Sequence, residues 1–369
     1  MVGHGGMGRA NYREGIMTGK KILTWIVIML VIVVIFTVKS LHQAGVFKTI
    51  EPMKNAPYAC SRVTDIPGPE DIVIDHVAGI AFISSDDRRV ALRGKRVPGA
   101  VYRYRLTVEH AVPENITPAL AFEFHPLGID LYRSGETVRL FAVNSRADGK
   151  YIEIFDYRDG ALTHAESLHS DLITSPNDIV AAGPRSFYVT NDCGLTSPLG
   201  RTIENYLKLP LGSVVHFDGA RFTTAARRLV FANGIALSRD GKRLFVASLL
   251  GRSLEVYDRD PAQGTLDHSA STDLGTCPDN ISVDDTGALW IAAHPQVMKV
   301  LPHRDNPSLL SPSQVLTVRF GPDGGFRITD VYVDPGTGIS ASSVGAATDG
   351  RLLIGTIFDP MFLDCRARK

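Results

Sequence analysis

The chain has no charge to spare. Its 39 basic and 39 acidic side chains cancel, so it lacks the cationic excess that releases counterions from nucleic acid. Binding of nucleic acid by bulk electrostatics is thereby excluded. Cysteine is scarce, at four residues. Cys60 stands near the start of the globular part and Cys365 near the end of the chain, so a bridge between them would close almost the whole domain as one loop in an oxidising compartment. Two unrelated buried thiols are the alternative. Long apolar runs are missing after residue 38. The runs that remain are short, β-branched and cut by glycine turns, which argues against a helical solenoid.

The one long apolar run is Ile22 to Val38, interrupted only by Thr24 and Thr37 and flanked by Lys20, Lys21 and Lys39. It has the length of a short membrane span. It exceeds the usual core of a cleaved signal peptide, and no small-x-small site follows it. The expected organisation is a tail over 1–21, a transmembrane or signal anchor over 22–38, a linker over 39–57 and one globular domain over 58–369. That domain is placed in the secretory lumen or outside the cell, tethered to the membrane, with secretion as the alternative. Asn115-Ile116-Thr117 is a glycosylation sequon.

What is present is repetition. A small polar loop, an Ile or Val, a strand, a glycine turn and a second strand recur six times, with the aligned residues Ile80, Ile129, Ile179, Ile235, Ile281 and Val344 spaced 46 to 63 residues apart. Further short strands lie between them, at 101–106, 151–156, 213–217, 253–257 and 296–300, with a helical insertion at 202–209. Six units of about four strands describe an all-β, six-bladed β-propeller with an N-terminal apolar helix. The first strand of each blade lines the axis, so Ala78, Leu127, Asn177, Asn233, Asp279 and Ser342 are expected to face one another in a ring. Asn280 stands beside Asp279. A buried ring of amides and carboxylates is costly without a partner, and a cation with oxygen ligands satisfies it better than a polar plug does.

Six segments carry a resemblance to a known family: Pro69-Glu70-Asp71, Gly79-Ile80-Ala81-Phe82-Ile83-Ser84-Ser85, Asn177-Asp178-Ile179-Val180, Phe231-Ala232-Asn233-Gly234-Ile235, Asp279-Asn280-Ile281-Ser282-Val283-Asp284 and Leu352-Leu353-Ile354-Gly355-Thr356. In this order they resemble the serum paraoxonase/arylesterase family of calcium-dependent propellers, over nearly all of residues 58–369. The resemblance implies two calcium ions: a catalytic one on Glu70, Asn177, Asn233, Asp279 and Asn280, and a deeper structural one on Asp71, Asp178 and the backbone carbonyl of Ile129. It also implies a Cys60–Cys365 disulfide, a retained N-terminal anchor, and a small-molecule lactone or aryl-ester substrate.

The chain departs from the family at the acid/base machinery. The family's histidine pair falls here on Leu127 and Ser145. His125, two residues earlier, either points into the same cavity or is a rim histidine. Asp279 and Glu70 are the remaining candidates to activate water or attack directly. His294 is expected at the far end of its strand in a structural role, and Cys193 and Cys277 flank the mouth as free thiols. Two functions follow: a calcium-dependent hydrolase, or a calcium-stabilised propeller that binds without turnover. Specificity is assigned to loops 86–99, 193–212 and 302–314, whose Arg88, Arg89, Arg93, Tyr206 and Leu207 suit an apolar ligand with an acidic end.

Overall fold

The structure is a computed structural model and describes Met1, Gly3 and residues 19–321 and 325–368. Most of the tail expected over 1–21 lies outside the described residues. Two compact units divide the chain, 1–43 and 44–369.

The first unit is a helix, Gly19–Gln43, long and apolar enough over Lys20–Gln43 to cross a membrane. At 1.5 Å per residue it spans ~37 Å, against ~30 Å of bilayer hydrocarbon. Its two polar interruptions are satisfied internally, the Thr24 and Thr37 hydroxyls donating to the carbonyls of Lys20 (2.9 Å) and Val33 (2.8 Å). The helix runs past Val38 because Lys39–Gln43 contains neither glycine nor proline to stop it.

The second unit contains six four-stranded antiparallel sheets. The innermost strands are Pro69–Asp75, Pro126–Ser134, Pro176–Ala181, Ala232–Leu237, Cys277–Val283 and Ser342–Thr348, and they define blades 1 to 6. Blade 6 takes its outermost strand, Tyr58–Thr64, from the start of the domain. That strand pairs with Met361–Ala367, with Cys60 opposite Cys365, and a disulfide joins the two residues. The ring is thus closed by strand pairing and by a covalent bond. Six apolar clusters hold the blades together, one at each junction. Phe141, Ile179 and Phe187 fill the junction of blades 2 and 3, for example, and Ile72, Ile83, Leu353 and Phe362 that of blades 6 and 1.

Four expectations need correction. Ala78 is not on the axis. It lies in the turn after Pro69–Asp75, where Asp75 Oδ1 accepts from the amides of Val77 and Ala78 (3.2 Å each) and Gly79 takes φ 65°. Ile80–Ser85 is consequently a second strand, and Glu70 holds the axial position. In blade 6, Ser342 turns outward, its hydroxyl donating to the Gln314 carbonyl (3.3 Å), while the Ser343 hydroxyl donates to the Glu70 carbonyl. The strand expected at 296–300 is instead the 3₁₀ turn Val297–Lys299 and the helix Val300–Asp305; the third strand of blade 5 is Ser313–Phe320. The helix expected at 202–209 begins earlier, at Pro198–Leu207. Ser197 caps the Gly200 amide, Pro198 suits the first turn, and Lys208 ends the helix in the left-handed region at φ 51°.

Connections between second and third strands all rise from the end of the propeller where the inner strands begin. Those of blades 2, 4 and 6 are short, at 147–148, 249–252 and 357–360. Those of blades 1, 3 and 5 are long, at 86–99, 192–211 and 295–312, and each carries a helix. Three lids from alternate blades therefore surround one mouth.

Candidate metal centre and active site

Every inner strand begins with the same irregularity. Pro126 pairs with Asn144 but Ile129 with Ala142; Pro176 with Asn191 but Ile179 with Val189; Pro278 with Ala293 but Ile281 with Ile291. The other three blades likewise carry one extra residue there. A one-residue bulge bends the strand and frees the extra residue from the ladder. The freed positions are Glu70, Leu127, Asn177, Asn233, Asp279 with Asn280, and Ser343. Space between them is minimal. A Cβ on Gly128 would meet Asp178 Oδ1 at 2.4 Å, and one on Gly234 would meet the Asp279 carbonyl oxygen at 2.5 Å.

The bulges leave oxygens without partners. Glu70 Oε2, Asn177 Oδ1, Asn233 Oδ1 and Asn280 Oδ1 accept no hydrogen bond, although they are buried. Within the set, Asn280 Nδ2 donates to Glu70 Oε1 at 3.1 Å. Four blades thus offer unpartnered oxygens at one level of the axis, where buried polar atoms are normally paired. Among the described residues no group of three or more His, Cys, Asp and Glu is disposed to hold a metal; here amide oxygens make up much of the donor set. Amide and carboxylate oxygens together fit a hard cation such as calcium.

One layer deeper, Asp71 Oδ1 accepts from the Ile72 amide and Oδ2 from the Ile129 amide, each at 2.8 Å. Asp178 repeats the arrangement with Ile179 and Ile235, again at 2.8 Å. Each carboxylate therefore ties its own blade to the next. Below them a cavity of about 220 Å³ is lined by Asp71, Asp178, Asp130, His76, Ser282 and aliphatic residues. Burial pushes Glu70 up to about 8, and its neighbours Asp71 and Asp279 add to the rise while Arg88 opposes it. Burial likewise takes Asp71 and Asp130 to about 7 and raises Asp178 well above the carboxylate range. A bound cation would relieve this crowding of desolvated carboxyls.

His294 is where sequence reasoning failed. It ends the strand Leu289–His294, but the antiparallel return sets it opposite Cys277 at the mouth, not at the far end. Its Nε2 lies 2.8 Å from Asp279 Oδ2, and its Nδ1 has no partner. Both side chains are almost fully buried. His125 is placed differently. Its Nδ1 pairs with Asp86 Oδ1 at 3.0 Å and its backbone amide with Asn144 Oδ1 at 2.8 Å, which ties it to the first lid and to none of the ring side chains among the described contacts. Cys193 and Cys277 are free and buried, and burial pushes their thiols up to about 12 and about 11, which leaves little thiolate for attack.

The lids are fastened to the scaffold. Glu204 is buried and accepts from the amides of Gly194 (2.9 Å) and Leu195 (2.8 Å), folding lid 192–211 back on its own helix. Asp359 in the turn of blade 6 receives Arg89 at 3.1 Å from the first lid and His303 at 3.0 Å from the third.

A family model described as arylesterase matches residues 68–365. Serum paraoxonase/arylesterase 2 of Gallus gallus is 34% identical over 300 residues, covering 79% of this chain and 84% of that protein. Serum paraoxonase/arylesterase 1 of Homo sapiens is 34% identical over 311 residues, covering 81% and 86%. Among solved structures, a gluconolactonase from Xanthomonas campestris shares the fold with a TM-score of 0.53 at 18% identity, over 87% of this chain and 98% of that one.

Proposed function

The chain belongs to the arylesterase family, and from that premise we propose that it hydrolyses lactones or aryl esters at the mouth of the propeller. The observation that carries this reading is the set of four buried, unpartnered oxygens on Glu70, Asn177, Asn233 and Asn280. We assign Glu70, Asn177, Asn233, Asp279 and Asn280 to an outer calcium, and Asp71, Asp178 and the Ile129 carbonyl to an inner one. Calcium held by the outer set would supply Lewis acidity toward a substrate carbonyl oxygen.

The chain's own residues do the rest. Asp279 Oδ2 accepts a hydrogen bond from Nε2–H of His294, which favours the tautomer whose Nδ1 lone pair is free. That nitrogen is the atom we assign to take the proton from attacking water, replacing the histidine pair lost at Leu127 and Ser145. Asn280 holds Glu70 in place through its Nδ2. His125, engaged by Asp86, is left to order the first lid. The test is turnover of a lactone and of phenyl acetate by the full chain in detergent, with calcium and with chelator, for the native protein and for Asn233→Ala and Asp279→Ala.

The absence of the family's histidine pair supports a second reading, a calcium-stabilised binding module without turnover. It expects chelator to lower thermal stability while no ester or lactone is hydrolysed. In both readings the helix Gly19–Gln43 anchors the protein in a membrane, with the propeller in the secretory lumen or outside the cell. The Cys60–Cys365 disulfide and the exposed side chain of Asn115 in its sequon support that placement.

A further inference from the structure

Two half-buried cations lie near Pro126, Arg88 through its bond to the Pro126 carbonyl and Lys150 through Ser145, next to the Asn144 that pairs with Pro126, and neither has a carboxylate partner among the described residues. Arg88 opens the helix Arg88–Leu92 of the first lid. Its guanidinium donates to the carbonyls of Gly68 (3.1 Å) and Pro126 (3.1 Å), and at 3.4 Å to those of Asp86 and Ile357. Carbonyl oxygens fix its position across blades 1, 2 and 6 without neutralising it.

Lys150 stands opposite Ser145 across the blade 2 hairpin. Its ammonium donates to the neutral Ser145 hydroxyl at 3.0 Å. Burial and the nearby Arg201 both disfavour its charge. Asp192, the acidic group close by, is taken by Arg201 at 3.0 Å and by the Ser175 hydroxyl.

The same imbalance is written into the first lid. Residues 86–99 hold five basic side chains against two acidic ones; Arg89 and Arg96 pair with Asp359 and Glu123 outside the segment, which leaves Arg88, Arg93 and Lys95 without an ion-pair partner among the described residues. Both acids are engaged, Asp86 with His125 at 3.0 Å and Asp87 as the cap on the Val90 amide at 3.0 Å. Holding partly desolvated cations apart from counter-ions is unfavourable unless a ligand offsets the cost. A positive mouth also draws anions toward it.

We propose that Arg88 and Lys150 form an anion-recognition subsite, selecting esters or lactones that carry a carboxylate on the acyl side of the scissile bond. The subsite names the substrate class of the site described above and rests on its being a hydrolase. An acyl carboxylate would take charge-assisted hydrogen bonds from the free N–H groups of both residues, with the apolar chain between carboxylate and ester lying over Leu127.

The test compares two aryl esters that release the same phenol, phenyl hydrogen adipate and its neutral methyl ester, with the full chain in detergent and saturating calcium. The expected kcat/KM ratio favours the anionic ester by about tenfold or more. Lys150→Met should lower that ratio about tenfold, Lys150→Glu should invert it, and Lys150→Arg should retain it. Arg88→Lys against Arg88→Met should show the same contrast, which separates charge from the bracing of the loop. A ratio indifferent to charge at both positions, with the neutral ester still hydrolysed, overturns the subsite and leaves the hydrolase standing. Turnover of neither ester overturns the hydrolase reading and the subsite with it.

Discussion

The imidazole of His294 meets the carboxylate of Asp279 at 2.8 Å in a place almost closed to solvent. Asp279 also borders the ring of unpartnered oxygens, so one side chain joins the proposed cation site to the proposed base. His294→Ala should therefore lower kcat by ~10²–10⁴-fold, the range of a lost general base. Calcium should still raise thermal stability in that variant, because the ring oxygens remain. A variant that loses calcium stabilisation together with activity would assign His294 to packing alone.

Glycine is demanded between the bulges. Gly234→Ala would put a methyl 2.5 Å from the Asp279 carbonyl oxygen and 2.6 Å from Asn280 Cα, and backbone cannot yield there as a flexible side chain can. The expected outcome is a folded protein that has lost at least tenfold in calcium affinity, read by isothermal titration against the native chain. Unchanged affinity would show that the ring tolerates widening.

Removing the metal should make stability fall with rising pH. Glu70 and Asp71 are held at about 8 and about 7 by burial, whereas in an unfolded chain such carboxyls titrate near 4. Between about pH 4 and pH 8 the metal-free folded protein thus binds more protons than the unfolded chain, and stability drops by about 1.4 kcal/mol per pH unit for each such proton. Calcium bound at the proposed sites would replace those protons and remove the drop. Calorimetry from pH 5 to 8 should show the gap in Tm between calcium and chelator widening. A chelated protein whose Tm is flat or rises over that window contradicts the assignment.

The disulfide closes the ring where the first and last strands of the propeller meet in blade 6. Replacing Cys60 and Cys365 by serine should cost about 2–5 kcal/mol, measured as a lower urea midpoint. Blade 6 should gain the most hydrogen exchange, because Tyr58–Thr64 is then held by strand pairing alone. An unchanged midpoint would mean that pairing suffices.

Much of the site could be read from residues because it is built from a repeated local device. Asn177-Asp178-Ile179, Asn233-Gly234-Ile235 and Asp279-Asn280-Ile281 share one pattern, since each is a bulge ahead of a buried strand. The same logic misled at blade 1. Ala78-Gly79-Ile80 imitates the pattern, but its glycine serves a hairpin turn, and the true bulge at Glu70 follows a proline. Ser342 was off by one for a related reason: two adjacent serines give no clue to which faces inward. His294 was misplaced because distance along a strand says nothing about the antiparallel return. The helices of the first and third lids are too short to show a period, and the apolar residues of Gln296–Val300 suit a short strand as well as a turn. Lys150 carried no signal, since its meaning depends on a partner across a hairpin and on Arg201 from another blade.

The most direct measurement is hydrolysis of a lactone and of phenyl acetate by the full chain as calcium is titrated in from chelated buffer, beside Asn233→Ala. The account expects turnover that vanishes in chelator, returns saturably with calcium, and in the variant requires much more calcium or fails to return. Turnover indifferent to chelator would contradict it, as would a protein that binds and is stabilised by calcium yet hydrolyses neither substrate.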